Sequence, residues 1–564
     1  MTTRTSQIVL VRRPEGTVEA HEHTDDGATP TVTRLAAGRL PDFVREREPG
    51  HPRWVWDDTT RWYPALLQAG LRVERCTDLR LCHAVLRRSP TTDPAALTGD
   101  ALAEDDAAGW DALQPVTSDE PALFALDDPA DRLDPVREHD RQQAALAACP
   151  ERARLALLLA AESSGALVAA EMTHAGLPWR ADVHDRLLTG LLGPRPVPGR
   201  RPAALEQLLP GIRRALGAPD LDPASATELL RALQAAGIEV TDTRSWTLEQ
   251  VEHPVIAPLL QYKKLLRLLT ANGWSWLDTW VRDGRFRPHY LPGGVVTGRW
   301  ASQGGGALSA PAQLRPAVVA DPGWRFVVAD VAQLEPRALA AMSGDTAMAE
   351  AARASDLYQG VVDSGAVATR AEAKLGMLGA MYGGTRGESG RAVARMTRRY
   401  PRAVGLVEEA ARAGERGEVV RTLLGRGSPV PTGAWARRRT EEDPADDTAD
   451  DTAERDRQRR AWGRFTRNFV VQGTGAEWAL CWLAVLRNRL WCLDGPAAAP
   501  LTERPHLVFF LHDEVVVHTP AALADEVAAA VADAAAEAGR LLFGDFPVDF
   551  PLDVSVVGSW ADAG

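Results

Sequence analysis

The sequence predicts a multi-domain α+β protein. Its 564 residues are several times what one hydrophobic core organises. Short β-like runs that end in acids are separated by long stretches of helical periodicity, so strands distant in sequence must meet in space, with helices interleaved between them.

The first 90 residues read as a small α/β unit, with strands at 7–11 and 53–56, a helical pattern at 64–70 and another helix after Asp78. Residues 94–137 are acidic and rich in Ala and Pro, which suits a loosely packed connection, and a boundary falls near 145. Apolar residues recur at helical spacing over 151–192 and 224–269, a helical arm. Between 285 and 345 the character changes to β-like runs (286–291 and 325–329) divided by Gly-rich turns. Residues 346–480 are again mainly helical, interrupted by RRRTEEDPADDTADDTAERDRQRR at 437–460. That run cannot bury a core and is expected to be a mobile insertion. The segment HLVFFLHDEVVVH at 506–518 predicts a strand, a tight turn and a second strand, followed by an Ala-rich helix and a last strand at 552–557.

Composition excludes several classes. The 45% hydrophobic and 25% charged content is that of a globular chain, and with no apolar run judged long enough to span a bilayer, no membrane partner is expected. Residues 1–20 carry Arg4, Arg12 and Arg13 but no signal-peptide core, so a cytoplasmic, nucleoid-associated location is expected. Cys76, Cys82, Cys149, Cys481 and Cys492 form no C-x-x-C pair and read as reduced thiols. The net charge of -12 does not exclude nucleic acid, because the acids cluster at 93–134 and 441–456 and binding depends on the local field. His512 and His518 lack the i, i+4 spacing of a zinc protease, and no G-x-S-x-G elbow or Walker loop occurs. GGTRGESG at 383–390 follows a helix and reads as a helix-ending loop.

The chemistry gathers on acids at strand ends. RFVVAD ends at Asp330, and FFLHDEVVV lifts Asp513 to a hairpin tip. Two carboxylates brought together repel and attract a divalent cation, and oxygen donors prefer Mg²⁺ or Mn²⁺. RAEAKLGMLGAMYGG at 370–384 places Arg370, Lys374, Leu378 and Tyr382 at four-residue steps, a slowly winding helical stripe. Two cations and an aromatic suit a nucleotide, although a solvated amphipathic helix has the same pattern. Gly379, Gly383 and Gly384 would admit a ligand or a neighbouring backbone.

VVADVAQLEPRALAAMSGD, RAEAKLGMLGAMYGG, RNFVVQGTGAEWAL and FFLHDEVVV, preceded by TGRWAS, resemble in order the blocks of family A, polymerase I-like DNA polymerases. The resemblance runs from about 297 to the C-terminus. It implies a right-hand architecture: an antiparallel palm sheet, helical fingers and thumb, and, in front, a ribonuclease H-like α/β domain of the 3′–5′ exonuclease type. The implied domains are 1–145 exonuclease-like, 146–284 thumb and linking helices, 285–345 palm, 346–465 fingers with the charged insertion, and 466–564 the rest of the palm. The implied activity is DNA-directed DNA synthesis in replication or repair by a monomer, with primer-template DNA and dNTPs as partners and two Mg²⁺ ions, replaceable by Mn²⁺, as cofactors.

Residue by residue, the resemblance makes Asp330, Asp513 and the Val331 carbonyl the metal ligands. It gives Arg370 and Lys374 to the triphosphate, with Lys374 also donating a proton to pyrophosphate, and Gln333, Glu335, Leu378 and Tyr382 to the nucleotide. Glu335 would leave no room for a 2′-hydroxyl. Arg299, Arg464, Asn468, Gln472 and His512 would line the minor-groove side of DNA, where the acceptors are nearly the same for every pair. Leu378 stands where the family usually has an aromatic, and Gly304, Gly305 and Gly306 replace polar residues expected near the template. Glu514 is a minor electrostatic neighbour.

WVWDDTTRWYPALLQAG and RCTDLRLCHAVLR look like the remnant of a proofreading domain. Its first strand, QIVLVRRPEG, lacks Asp-x-Glu, Val136 stands four residues before Asp140 where a Tyr is expected, and Asp57 and Asp58 could equally cap the helix after them. A catalytically silent domain is therefore expected, and no 5′-nuclease domain. The alternatives are a non-catalytic DNA-binding scaffold and a polymerase with active proofreading.

Overall fold

A computed structural model describes residues 5–13, 16–93, 97, 109–115, 133–303, 311–384, 387–431, 449–493 and 499–563, without the side chains of 449–452. The chain divides into two compact units, Met1–Ala175 with His289–Ala301 and Gly323–Val556, and Gly176–Pro288 with Ser302–Pro322 and Val557–Gly564.

The first unit opens with β1 (Thr5–Arg13), β2 (Thr17–Thr24), β3 (Thr31–Ala36), α1 (Leu40–Arg47), β4 (Arg53–Trp56), α2 (Thr59–Gln68), β5 (Cys76–Asp78) and α3 (Leu79–Arg88). The sheet order is β3-β2-β1-β4-β5. β1 to β3 form an antiparallel meander, while β4 and β5 join in parallel. Alternation decides the faces: Ile8, Leu10, Val18 and Ala20 enter one core with Trp54, Trp56 and Tyr63, and Val9 and Val55 enter the other with Leu79 and Trp110. α4 (Pro135–Ala148) begins inside the segment expected to be a connection. Pro135 at its first turn and the Asp134 carboxylate, which accepts from Val136 and Arg137 N–H, start it there. α5 (Arg152–Ala175) follows, and its Glu171 accepts from buried Tyr63 at 2.6 Å and Arg487 at 2.6 Å.

The second unit contains β6 (Leu177–Pro178), α6 (Ala181–Leu192), α7 (Ala203–Ala215), α8 (Ala226–Ala235), α9 (Ser245–Leu248), α10 (Ile256–Asn272), α11 (Trp274–Trp280), β7 (Val281–Arg282) and β8 (Arg285–Phe286). Trp179, His184, Trp276 and Phe286 interlock with ring centroids 4.9–5.7 Å apart.

After the short strands β9 (His289–Leu291) and β10 (Ala301–Gln303), the first unit continues with β11 (Trp324–Val331), α12 (Leu334–Ser343), α13 (Thr346–Ala351), α14 (Leu357–Asp363), α15 (Arg370–Tyr382), α16 (Gly387–Arg399), α17 (Pro401–Glu415), α18 (Ala449–Cys492), β12 (His506–Leu511), β13 (Glu514–Pro520), α19 (Ala524–Phe543) and β14 (Leu552–Val557). The second sheet runs β12-β13-β11-β14; β13 is antiparallel to both β11 and β12. The mixed α+β multi-domain class holds.

Two expectations are corrected. The charged run is not a uniform insertion: from Ala449 it is the first part of α18, held by Glu454–Arg457 at 2.9 Å, Asp456–Arg460 at 3.9 Å and Gln458–Glu454 at 3.0 Å. Acids one turn ahead of arginines stabilise helix, which the low-complexity reading missed. Residues 432–448 lie outside the described residues. Likewise, α5 and the stretch Ala453–Cys492 are each long and apolar enough to cross a membrane, but 67% and 78% of those apolar windows are buried inside the chain. They read as core helices.

Candidate active site

β11 ends on Asp330 and Val331, and the tip of the β12–β13 hairpin carries Asp513. Asp330 lies opposite Glu514 in the register, and the Val331 N–H donates to the Asp513 carbonyl at 3.0 Å. The two strand ends are thereby locked side by side. Leu511 pairs with Glu514, so His512 and Asp513 form a two-residue turn. His512 takes a φ of 56°, the left-handed first position that such hairpins use. Burial raises the partly buried Asp513 carboxyl above its ordinary range; Glu335 and Glu514 add to the rise and Arg299 opposes it. This oxygen-rich, like-charged set suits a hard divalent cation. Among the described residues no group of three or more His, Cys, Asp or Glu is arranged to hold a metal, so any ion here would rest on the two aspartates and backbone oxygen.

A cavity of about 180 Å³ opens beside Asp513, lined by Arg299, Gln333, Glu335, Tyr358, Leu378 and His512 among others. It is below the roughly 300–1,000 Å³ of ordinary ligand clefts and could enclose only part of a nucleotide. Glu335, in the first turn of α12, is ion-paired with Arg299 through one oxygen and accepts from the Tyr382 hydroxyl through the other at 2.6 Å. Gln472 donates to that hydroxyl at 3.4 Å. Burial first, then the Glu335 hydrogen bond, pushes the Tyr382 phenol up to about 12, so it stays a donor at neutral pH. Burial, assisted by Arg299, lowers the His512 imidazole.

The stripe on α15 has local causes. Thr369 caps the helix by accepting from Glu372 N–H at 3.2 Å, and Glu372 accepts from Ala368 N–H at 2.9 Å, a variant of the capping box. At the other end Gly383, with φ of 84°, and Gly384 both donate to the Gly379 carbonyl at 2.8 Å, a Schellman-type stop. A Cβ on Gly379 would strike Ser389 and Val393 of α16, and one on Gly376 would crowd Ala392 at 3.1 Å. These glycines admit a neighbouring helix. Arg370 and Lys374 are exposed, Leu378 is partly buried and Tyr382 is 38% exposed.

The remaining expected residues are less tightly gathered. The Gln333 side-chain oxygen accepts from Leu357 N–H at 3.0 Å, and its backbone is left-handed at φ 52°. Arg464 is exposed beside Gly383, and the buried Asn468 Oδ1 has no hydrogen-bond partner among the described residues. Gly304, Gly305 and Gly306 lie outside the described residues. Sequence reasoning missed three neighbours: Arg337, which donates to the carbonyls of Ala332, Ala352, Ala354, Ser355 and Asp549, Asp356, which caps α14, and Tyr358 in the first turn of α14. A fully buried arginine in a helix carries no local signal of its partners.

The family model for DNA polymerase family A matches residues 232–562, more than half of the chain. The chain belongs to DNA polymerase family A. The matched span contains every site residue named above and stops short of the N-terminal sheet. Among curated relatives, the thermostable DNA polymerase I of Thermus filiformis is 28% identical over 344 residues, covering 55% of this family A chain and 37% of that protein. DNA polymerase I of Chloroflexus aurantiacus is 35% identical over 127 residues, 21% of this chain and 13% of that one. The chain thus spans about a third or less of these relatives. Among solved structures, the POL domain of Pol1 from M. smegmatis, in complex with DNA primer-template and dNTP, superposes with a TM-score of 0.70 at 18% identity, covering 100% of this chain and 96% of that one. The fold is shared throughout.

Asp57, Asp58 and Asp78, near the N-terminal sheet, are engaged in structural bonds. Asp58 caps α2, accepting from Thr60 N–H at 2.8 Å and from Arg80 at 2.5 Å. Asp78 caps α3 and accepts from Thr59 N–H at 2.7 Å, Asp57 accepts from the Trp62 indole, and Asp140 is exposed on α4.

Proposed function

We propose that this family A chain is a DNA-directed DNA polymerase that adds deoxynucleotides to a primer 3′ end on a DNA template. The observation that carries the reading is Glu335, held between Arg299 and Tyr382 in the cavity that Asp513 also lines. A carboxylate fixed on both sides cannot swing away from a sugar, so it would reject a 2′-hydroxyl by position. Asp330, Asp513 and the Val331 carbonyl would hold two Mg²⁺ ions, which when bound activate the primer hydroxyl and stabilise charge at the leaving oxygen; Mn²⁺ could replace them. Arg370 and Lys374 would neutralise the triphosphate, and Lys374 would deliver a proton to the departing pyrophosphate. Leu378, Gln333 and Tyr382 would bound the nucleotide, while Arg299, Arg464, Asn468, Gln472 and His512 would face the minor groove of the primer-template.

The N-terminal domain is read as a proofreading remnant without activity. The first strand lacks the Asp-x-Glu pair, its Arg13 pairing instead with Glu19 at 2.6 Å, and Asp58 and Asp78 are engaged as helix caps. A two-cation site needs acids free to bind metal.

Primer extension with dNTPs and Mg²⁺ tests the proposal, with Asp330→Ala and Asp513→Ala proteins alongside. Extension by the unaltered chain, abolished by EDTA and by either substitution, is expected. Extension that survives both substitutions overturns the reading, and a folded chain that binds primer-template without extending it would be a scaffold.

A further inference from the structure

Arg370, the first residue of α15, is held from outside its own helix. Its Nε donates to the Asp356 carboxylate at 2.5 Å, and its guanidinium lies over the Tyr358 ring, 5.5 Å from the centroid. Neither Nη atom has a hydrogen-bond partner among the described residues. The holder is itself anchored: the other Asp356 oxygen accepts from Tyr358 N–H at 3.0 Å, capping α14, Leu357 N–H donates to Gln333, and Arg337 grips the Ala354 and Ser355 carbonyls at 2.9 Å each. Tyr358 also lines the cavity with Glu335 and Leu378.

A long exposed arginine ordinarily samples many rotamers, and ordering one carries an entropic cost. Here a carboxylate takes the inner Nε and an aromatic face sets the plane, leaving the outer edge, with both Nη atoms, directed to whatever approaches. That edge matches two oxygens of a phosphate in a bidentate fork. The geometry points to Asp356 and Tyr358 as positioning residues that seat Arg370 for the polyphosphate of an incoming nucleotide. This rests on the polymerase reading above. Neither residue need touch the nucleotide; they act through Arg370.

The test is steady-state extension with dNTP titration, and inhibition by inorganic pyrophosphate, on the full chain. Asp356→Asn keeps a competent helix cap while removing the charge that holds Nε; Tyr358→Phe keeps the ring and Tyr358→Ala removes it. Expected are a rise of about tenfold in KM for dNTP and in the pyrophosphate inhibition constant for Asp356→Asn and Tyr358→Ala, with kcat changed less than threefold and Tyr358→Phe near the unaltered chain. In an Arg370→Ala background, Asp356→Asn should add nothing, since the residue it positions is gone. Unchanged or lowered KM in Asp356→Asn, or effects that add fully to those of Arg370→Ala, overturns the proposal. If the unaltered chain itself extends no primer, the polymerase reading fails instead, and the two failures are distinct.

Discussion

Glu335 and Tyr382, 47 residues apart in the chain, meet in a 2.6 Å hydrogen bond whose acceptor is simultaneously ion-paired with Arg299. The bond ties α12 to the last turn of α15 and fixes one wall of the cavity beside Asp513.

Removing that wall should change which sugar is accepted. Glu335→Ala is expected to raise ribonucleotide incorporation, relative to the matching deoxynucleotide, by on the order of 100-fold, and Tyr382→Phe, which only frees the carboxylate on one side, by on the order of 10-fold. The measurement is the ratio of kcat/KM for dATP and ATP. An unaltered ratio in Glu335→Ala would sink the steric role.

The N-terminal sheet unit should show no 3′–5′ exonuclease activity. A primer with a mismatched 3′ end, incubated with Mg²⁺ and no dNTP, is expected to keep its length over hours on a sequencing gel, and shortening one nucleotide at a time would refute the assignment.

Glu477 should make stability fall as pH rises. It is fully buried, accepting from Thr422 Oγ1 and from Leu424 N–H at 3.0 Å, and burial pushes its carboxyl up to about 7 despite the Thr422 bond and nearby Arg426. A folded-state pKa above the unfolded value means the folded chain holds the proton longer. Its contribution is therefore complete below about pH 4.5 and lost as pH passes 7, on the order of 3 kcal/mol. Glu477→Gln should remove that slope between pH 4.5 and 7 in chemical denaturation, and an identical slope in the variant would contradict it.

His184 should act with the opposite sign. Its Nδ1 accepts from the Trp179 indole at 3.2 Å, so Nε2 carries the proton donated to the Asn272 carbonyl at 2.9 Å. Burial lowers its pKa to about 4, and protonating Nδ1 would set two donors against each other. Its contribution is complete above about pH 6.5 and lost as pH falls through 4. The difference in melting temperature between the unaltered chain and His184→Gln should narrow steadily from pH 7 to pH 4. A constant difference refutes the account.

Gly427 is expected to tolerate no side chain. A Cβ there would fall on the Arg88 carbonyl oxygen, with Pro90 at 3.1 Å, so backbone rather than a flexible tip would have to move. Gly427→Ala should cost about 2 kcal/mol or more in unfolding free energy, read from urea midpoints. A loss below 0.5 kcal/mol would show that the contact yields easily.

Local codes were legible in the chain itself. The apolar run before Asp330 and the hairpin around Asp513 are strands because their β-branched residues pair across a short register, and α15 begins and ends where Thr369 and Gly383 place caps. The low-complexity reading failed at Ala449–Arg460 because composition ignores the one-turn spacing of Glu454, Asp456, Arg457 and Arg460, which stabilises helix. Sequence alone thus determined the strand that ends at Asp330, the hairpin that carries Asp513, the helix that begins at Arg370, and the family to which the blocks belong. Only the tertiary structure decided that Asp58 caps a helix, that Gly379 admits α16, that Arg299 and Tyr382 converge on Glu335, and that Asp356 and Tyr358 seat Arg370. Those outcomes depend on side chains from distant segments competing for the same buried donors and acceptors, and no local pattern records which partner wins.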